Sequence, residues 1–345
     1  MNVSRRNLIK SLGAGAAFAA TGSLVGPVST AQADGAKRIT VALNWLPNVE
    51  YAGLWIADAR GYFGKEGLEL HTLPGGPNTP LAPVTVAAGQ AEIGYATWLP
   101  FVDSVLRGND FVAIGATFAV SPIGILSLPG KPIRTAKDLV GARILCPGVN
   151  ERAAIEATLA LNGLPKDYTA IPAGFSPEPL LQKVADGYAA YSTNQMITFE
   201  TMGLVRDKDF LFLPLDTLGF KAAASMLFTT RKMIETQRST LVAFLRATMH
   251  GWKDEESDPE IGAKLAVEKY GADIGLDSRQ QSAQAKAQIA LLHDPSSPGL
   301  PLLELSEANV AGPMYATARA AGRVDLPEPA KLFDFSLVRE AAKGS

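Results

Sequence analysis

Residues 39–59 read Ile39-Thr-Val-Ala-Leu43-Asn44-Trp45-Leu-Pro47-Asn48-Val-Glu50-Tyr51-Ala-Gly53-Leu-Trp55-Ile-Ala57-Asp-Ala59. The first five residues suit a buried strand, and Asn48 suits the N-cap of a helix that runs to Ala59 and stops at Gly61. Strand, connection and helix make half of a βα unit, and the same pattern repeats outward along the chain. Residues 68–73 form a second strand, followed by the turn Pro74-Gly-Gly-Pro-Asn78. A helix over 79–88, a strand over 91–95, a helix over 99–106 and a strand over 111–118 complete the first run. A second run begins beyond Pro122, with a strand through Leu128, a short helix over 137–140 and a strand over 142–145. The turn Pro147-Gly148-Val149-Asn150 then leads into a helix ending at Leu161. Strands near 169–171 and over 188–192 flank a helix at 177–185, and another helix fits 196–203. After a strand over 222–228 the chain is mostly helical, notably at 240–252, 260–269 and 278–292. This alternation predicts an α/β fold of parallel sheets with crossover helices. It also predicts two α/β lobes with a ligand cleft between them: lobe 1 from residues 34–122 plus 220–345, and lobe 2 from 123–219.

Ahead of this region lies a leader. Ser4-Arg5-Arg6-Asn7-Leu8-Ile9-Lys10 precedes a Gly/Ala-rich stretch that ends in Ala31-Gln32-Ala33, small residues suited to a signal peptidase. The paired arginines resemble a twin-arginine signal, so residues 1–33 read as a cleaved leader and the mature chain as a periplasmic protein without a lipid anchor. Loss of Arg5, Arg6 and Lys10 takes the formal charge of the 345-residue chain from −2 to −5. An acidic chain without clustered Lys and Arg is not a nucleic-acid binder. Cys146 is the only cysteine, so no internal disulfide can form. His71, His250 and His293 are scattered, without metal-ligand spacing, and no cofactor site is expected.

Ligands of open α/β sheets bind beyond the carboxyl ends of strands, and those positions are rich here. Asn44, Trp45 and Tyr51 follow the first strand, Thr97 and Trp98 the third, and Ser121 the fourth. In the second lobe Tyr191, Asn194 and Gln195 follow a strand. The turn carrying Gly148 and Asn150 opens a helix whose N-terminus could meet an anion or a carbonyl. Aromatic faces beside a few amides and hydroxyls suit a small-molecule site. Trp45, Trp98 and Tyr191 are expected to stack on the ligand, Tyr51 to stand at the rim, and the amides and hydroxyls to read polar edges. Trp55 and Trp252 read as core. No Gly-x-Ser-x-Gly elbow, His-Glu-x-x-His or phosphate loop occurs. Glu50, Glu151 and Glu200 read as solvated helix carboxylates.

The string Asn44-Trp45-x-Pro47-Asn48, Tyr51-x-Gly53, Ala57, Gly61-Tyr62-Phe63 and Gly67-Leu68, with Ala88-Gly89-Gln90-Ala91-Glu92-Ile93-Gly94, resembles the NMT1/THI5-like family of periplasmic solute-binding proteins. That resemblance implies a type II periplasmic-binding-protein-like fold that closes on its ligand. It also implies a small-molecule ligand and an ABC permease in the inner membrane as partners; the protein itself is expected to be a monomer. Family relatives bind thiamine-pyrimidine precursors, riboflavin, alkanesulfonates, taurine or nitrate. In pyrimidine binders the Trp of the Asn-Trp segment packs on the heterocycle, a role that falls here on Trp45 beside Asn44. Asn194 matches the Thr-Asn-Glu segment, with Gln195 in place of the acid. An amide both donates and accepts, whereas a carboxylate only accepts.

Fungal relatives that make the pyrimidine carry a cysteine-rich segment and an active-site histidine. Here there is one cysteine, and Tyr51 stands at the histidine's place, so the expectation is a carrier rather than an enzyme. Its ligand is expected to be a small aromatic or heteroaromatic, pyrimidine-like nutrient. The alternative within the same class is a sulfonate, taurine or other small anion held by the Gly148 turn and Arg152. A pyrimidine-synthesising enzyme and a periplasmic sensor are the readings from other classes.

Overall fold

A computed structural model describes residues 35–76 and 79–344. The leader, with the expected cleavage site and twin arginines, lies outside the described residues. The rest forms two five-stranded mixed sheets with flanking helices, an α/β fold of two lobes.

The first sheet has the order β2-β1-β3-β10-β4, from β1 (Lys37–Ala42), β2 (Leu68–Leu73), β3 (Ile93–Ala96), β4 (Phe111–Phe118) and β10 (Ala224–Thr230). The second has the order β7-β6-β8-β5-β9, from β5 (Ile123–Ser127), β6 (Arg143–Cys146), β7 (Thr169–Pro172), β8 (Gly187–Tyr191) and β9 (Leu211–Pro214). β3 and β5 are buried throughout, as strands covered on both faces must be. The short edge strand β9 has no counterpart in the sequence reading.

The sheets are not purely parallel. β10 runs antiparallel to β3 and β4, and β5 runs antiparallel to β8 and β9. The cause is the route of the chain. βα units point the carboxyl ends of their strands at the cleft, but a strand arriving from the other lobe enters at that end and must run away from it. β5 is the first strand after the chain leaves the first sheet, and β10 the first after it returns.

Asn48 caps the expected helix through an intermediate turn. Its Oδ1 accepts from the Glu50 N–H at 2.8 Å and opens a 3-10 turn, Val49–Tyr51, that continues into the helix Ala52–Ala59. This helix packs on the long helix Arg231–Ser257 at a close approach that requires glycine. A Cβ on Gly251 would lie 1.9 Å from the Gly53 carbonyl oxygen, and one on Gly53 would strike the Trp252 ring. Trp55 and Trp252 are fully buried in that core, as read from the sequence. A second core runs between the lobes, where Phe101, Phe228, Ile125, Ile144 and Tyr315 belong to one continuous cluster.

Candidate functional site in the interlobe cleft

A cleft of about 700 Å³, partly open to solvent, lies between the sheets. From the first-sheet side it is lined by Asn44, Trp45, Glu50, Thr97, Phe118, Ala224, Ser225 and Gln284. From the second it is lined by Pro122, Pro147, Glu151, Phe175, Tyr191, Thr193, Asn194 and Gln195.

Six of the sequence-derived candidates meet here: Asn44, Trp45, Thr97, Tyr191, Asn194 and Gln195. Asn44 and Trp45 leave β1 together, and both are braced from below. The buried Tyr51 hydroxyl accepts from the Trp45 N–H at 2.9 Å and donates to Asn44 Oδ1 at 3.0 Å. Tyr51 is therefore beneath the site rather than at its rim, with no exposed surface. Burial, and then the neighbouring Glu50, hold its hydroxyl well above the usual tyrosine range. Trp45 meets Phe175 of the opposite lobe edge-on, with ring centroids 4.5 Å apart.

Thr97 begins a hydrogen-bonded chain across the cleft. Its hydroxyl donates to Asn150 Oδ1 at 3.2 Å, Asn150 Nδ2 donates to the Tyr191 hydroxyl at 2.9 Å, and that hydroxyl donates to Glu151 Oε1 at 2.9 Å. Asn150 thus acts behind Tyr191 instead of lining the cavity. Gln195 has both ends of its amide engaged with protein. Its Oε1 accepts from the Tyr191 N–H at 2.9 Å, and its Nε2 donates to the Phe175 carbonyl at 3.4 Å. It therefore braces the Phe175 segment.

Three further expectations are corrected. Trp98 is 1% exposed, its indole N–H donates to the Met314 carbonyl at 2.8 Å, and its ring packs with Phe101, Tyr315 and Phe333 in the core. As the first residue of the helix Trp98–Leu106 it turns away from the cleft. Ser121 does not line the cleft; its Oγ accepts from the Ile123 N–H at 3.5 Å, and Pro122 takes the wall position. Gly148 does open a helix, Val149–Leu161, but Glu151 covers that end: a Cβ on Gly148 would come within 2.9 Å of the Glu151 carboxylate. A helix N-terminus complemented by its own acid is a poor anion site. Arg152 is exposed and does not line the cleft.

Glu50 and Glu151 also stand elsewhere than the sequence suggests. Neither is a solvated helix carboxylate: Glu151 is 7% exposed, and both line the cleft, one from each lobe. Glu50 accepts a short hydrogen bond from the Ser225 hydroxyl. Burial raises its carboxyl above the usual range against the pull of that bond. Ser225 itself sits at φ +49°, a left-handed conformation costly for serine and of the kind that clusters at functional sites. Phe118, Phe175, Ser225 and Gln284 were also missed. Only Glu151 carried a local signal, its place three residues after the helix-opening Gly148.

None of the three histidines lines the cleft: His293 pairs with Glu256 at 2.7 Å and His250 packs near the Tyr62 ring. Among the described residues no group of three or more His, Cys, Asp or Glu could hold a metal ion, and no helix is long and apolar enough to cross a membrane.

Two mixed sheets, two chain passages between them and a cleft at their strand ends define a periplasmic-binding-protein-like fold. Among solved structures, the periplasmic aliphatic sulphonate binding protein SsuA from Escherichia coli superposes with a TM-score of 0.63 at 16% identity, covering 88% of this chain and 91% of that one. The family model NMT1/THI5 like matches residues 48–261, and the chain belongs to that family. The 4-amino-5-hydroxymethyl-2-methylpyrimidine phosphate synthase of Schizosaccharomyces pombe is 25% identical over 68% of this chain and 73% of its own length. The formylaminopyrimidine-binding protein of Halalkalibacterium halodurans is 24% identical over 76% of this chain and 80% of its own.

Proposed function

We propose that this protein is the periplasmic substrate-binding component of an ABC importer and captures a small heteroaromatic nutrient that presents N–H donors. The observation that carries the reading is the charge of the cleft wall. Two carboxylates, the half-buried Glu50 and the buried Glu151, approach from opposite lobes, and no Lys, Arg or His stands among the lining residues. A sulfonate or other anion placed there would meet like charge in a poorly solvated setting, which is strongly unfavourable. A ring carrying N–H groups finds acceptors on both sides, with Trp45, Phe175 and Tyr191 offering apolar and aromatic surface. The similarity to a formylaminopyrimidine-binding protein supports the same choice.

Capture works by population shift. A ligand that touches both walls favours the arrangement in which Trp45 meets Phe175 and Thr97 meets Asn150 over one in which the lobes are apart, and the permease reads the closed form. Residues 1–33 deliver the chain to the periplasm by the twin-arginine route and are then removed.

Calorimetric titration with aminopyrimidines, flavins, taurine and alkanesulfonates tests the reading. Tight binding of an aminopyrimidine without chemical change is the expected result. Tight binding of a sulfonate with none of an aminopyrimidine would overturn the ligand class. Turnover of a bound pyrimidine, followed by mass spectrometry, would overturn the carrier in favour of the enzyme that several relatives are.

A further inference from the structure

The helix Ser278–Gln288 has the sequence SRQQSAQAKAQ and carries no large apolar residue, yet it packs inside the protein. Gln281, Gln284 and Gln288 share one face by their spacing of three and four residues, and they are 3%, 3% and 0% exposed. An ordinary helix buries Leu or Val there. A buried amide loses rotamer freedom and hydration, so each glutamine needs a partner to justify its place.

Two of the three have one. Gln281 Oε1 accepts from the Val49 N–H at 2.9 Å, and Gln288 Nε2 donates to the Val49 carbonyl at 3.0 Å and to Glu255 Oε1 at 3.2 Å. Both backbone polar groups of Val49 are therefore held, and the next residue in the chain is Glu50. Gln284 lies between these two and does neither job. Its buried Oε1, like that of Gln288, has no hydrogen-bond partner among the described residues, but of the two side chains Gln284 is the one that lines the cleft. The preceding turn of the same helix reaches the other lobe, where Gln280 Nε2 donates to the Asn194 carbonyl at 3.1 Å.

We infer that Gln284 is a specificity-determining residue of the cleft, its Oε1 accepting a hydrogen bond from a ligand N–H. Gln281 and Gln288 are positioning residues that fix Glu50. The inference rests on the carrier reading above and adds a selection rule: the ligand must present a donor to the first-lobe wall, because the acceptor waiting there is otherwise unpaired. It also links recognition to closure, since the helix that meets the ligand also meets the second lobe through Gln280.

The test compares wild type with Gln284→Met and Gln281→Met, using 4-amino-5-hydroxymethyl-2-methylpyrimidine and its 4-oxo counterpart, which lacks the exocyclic amine, as calorimetric probes. Wild type should prefer the amino probe. Gln284→Met should bind it roughly tenfold more weakly, the scale of one lost hydrogen bond, and bind the oxo probe about as before. Without ligand, Gln284→Met should melt above wild type, because an apolar side chain of similar shape removes an unpaired buried acceptor. Gln281→Met should instead lose both melting temperature and affinity, because it leaves the Val49 N–H unpaired. Wild-type affinity of Gln284→Met for the amino probe, or a ligand-free melting temperature at or below wild type, would overturn the assignment. If wild type takes neither probe, the proposed ligand class falls on its own, and the ligand-free melting comparison still decides Gln284.

Discussion

Glu255 provides a test of the buried polar scaffold behind the cleft. It is fully buried, accepts from the Gly262 N–H at 3.1 Å and from Gln288 Nε2 at 3.2 Å, and burial raises its carboxyl from 4.5 to about 8 despite those two bonds. Because the folded value lies above the unfolded one, the folded protein keeps a proton that the unfolded chain has already lost. The stabilising contribution is complete below about pH 4.5 and is lost as pH rises to about 8. Each pH unit in that window is worth about 1.4 kcal/mol. Replacing Glu255 by Gln removes the titration. The amide can accept only one of the two donors, a fixed cost of about 1 kcal/mol that does not depend on pH. Measured relative to wild type, Glu255→Gln should therefore gain about 3 kcal/mol in unfolding free energy between pH 5 and pH 8, whatever that fixed cost is. Urea unfolding followed by circular dichroism at several pH values gives the difference directly. Parallel stability curves for the two proteins, or a difference that shrinks as pH rises, would refute the reasoning.

Other consequences can be checked alongside. Glu151→Gln should weaken binding of an amine-bearing heterocycle by roughly tenfold, the scale of a charge-assisted hydrogen bond, and relieve any exclusion of anions; titration with an aminopyrimidine and with taurine reads both. Phe175→Ala should speed ligand release in stopped-flow measurements, since it removes the ring against Trp45, with a loss of about 1 kcal/mol in affinity. Asp186, buried beside Lys131 at 2.8 Å and Arg143 at 3.3 Å, is lowered from 3.8 to about 2: burial opposes the shift and the two cations overcome it. Its contribution is present above about pH 3.8 and lost as pH falls to about 2, so Asp186→Asn should cost about 2 kcal/mol at neutral pH and nothing at the acid end, measured by chemical unfolding. Changing Arg5 and Arg6 to Lys should block export, seen as precursor retained in the cytoplasm; unimpaired export would point to the general secretory route.

The strands and the residues just beyond them were legible in the sequence because they depend on local pattern. The run at 39–43 reads as a buried strand wherever it is met, and the geometry of open sheets then directs attention to Asn44, Trp45, Thr97, Tyr191 and Asn194. Trp98 shows the limit of that logic. One residue past Thr97 it enters a helix, and helical rotation carries it from the cleft into the core. Glu50 and Glu151 failed for a different reason. Whether a carboxylate is solvated or buried is decided by what packs over it, and Ser225 and Tyr191 come from distant parts of the chain. The antiparallel placement of β5 and β10 was equally hidden, because it follows from the route between lobes rather than from either strand's own residues.

That route also sets the mechanics of capture. The chain passes between the sheets from Phe118 to Ile123 and again from Pro214 to Ala224, and Phe118, Pro122, Ala224 and Ser225 beside those passages are part of the cleft wall. Two pivots define an axle, and a ligand in the proposed site would rest against it. Near an axle the lever arm is short, so any hinge rotation of the lobes would turn a small displacement at Ser225 into a much larger one at their outer edge. A small molecule can in this way be felt on a surface it never touches.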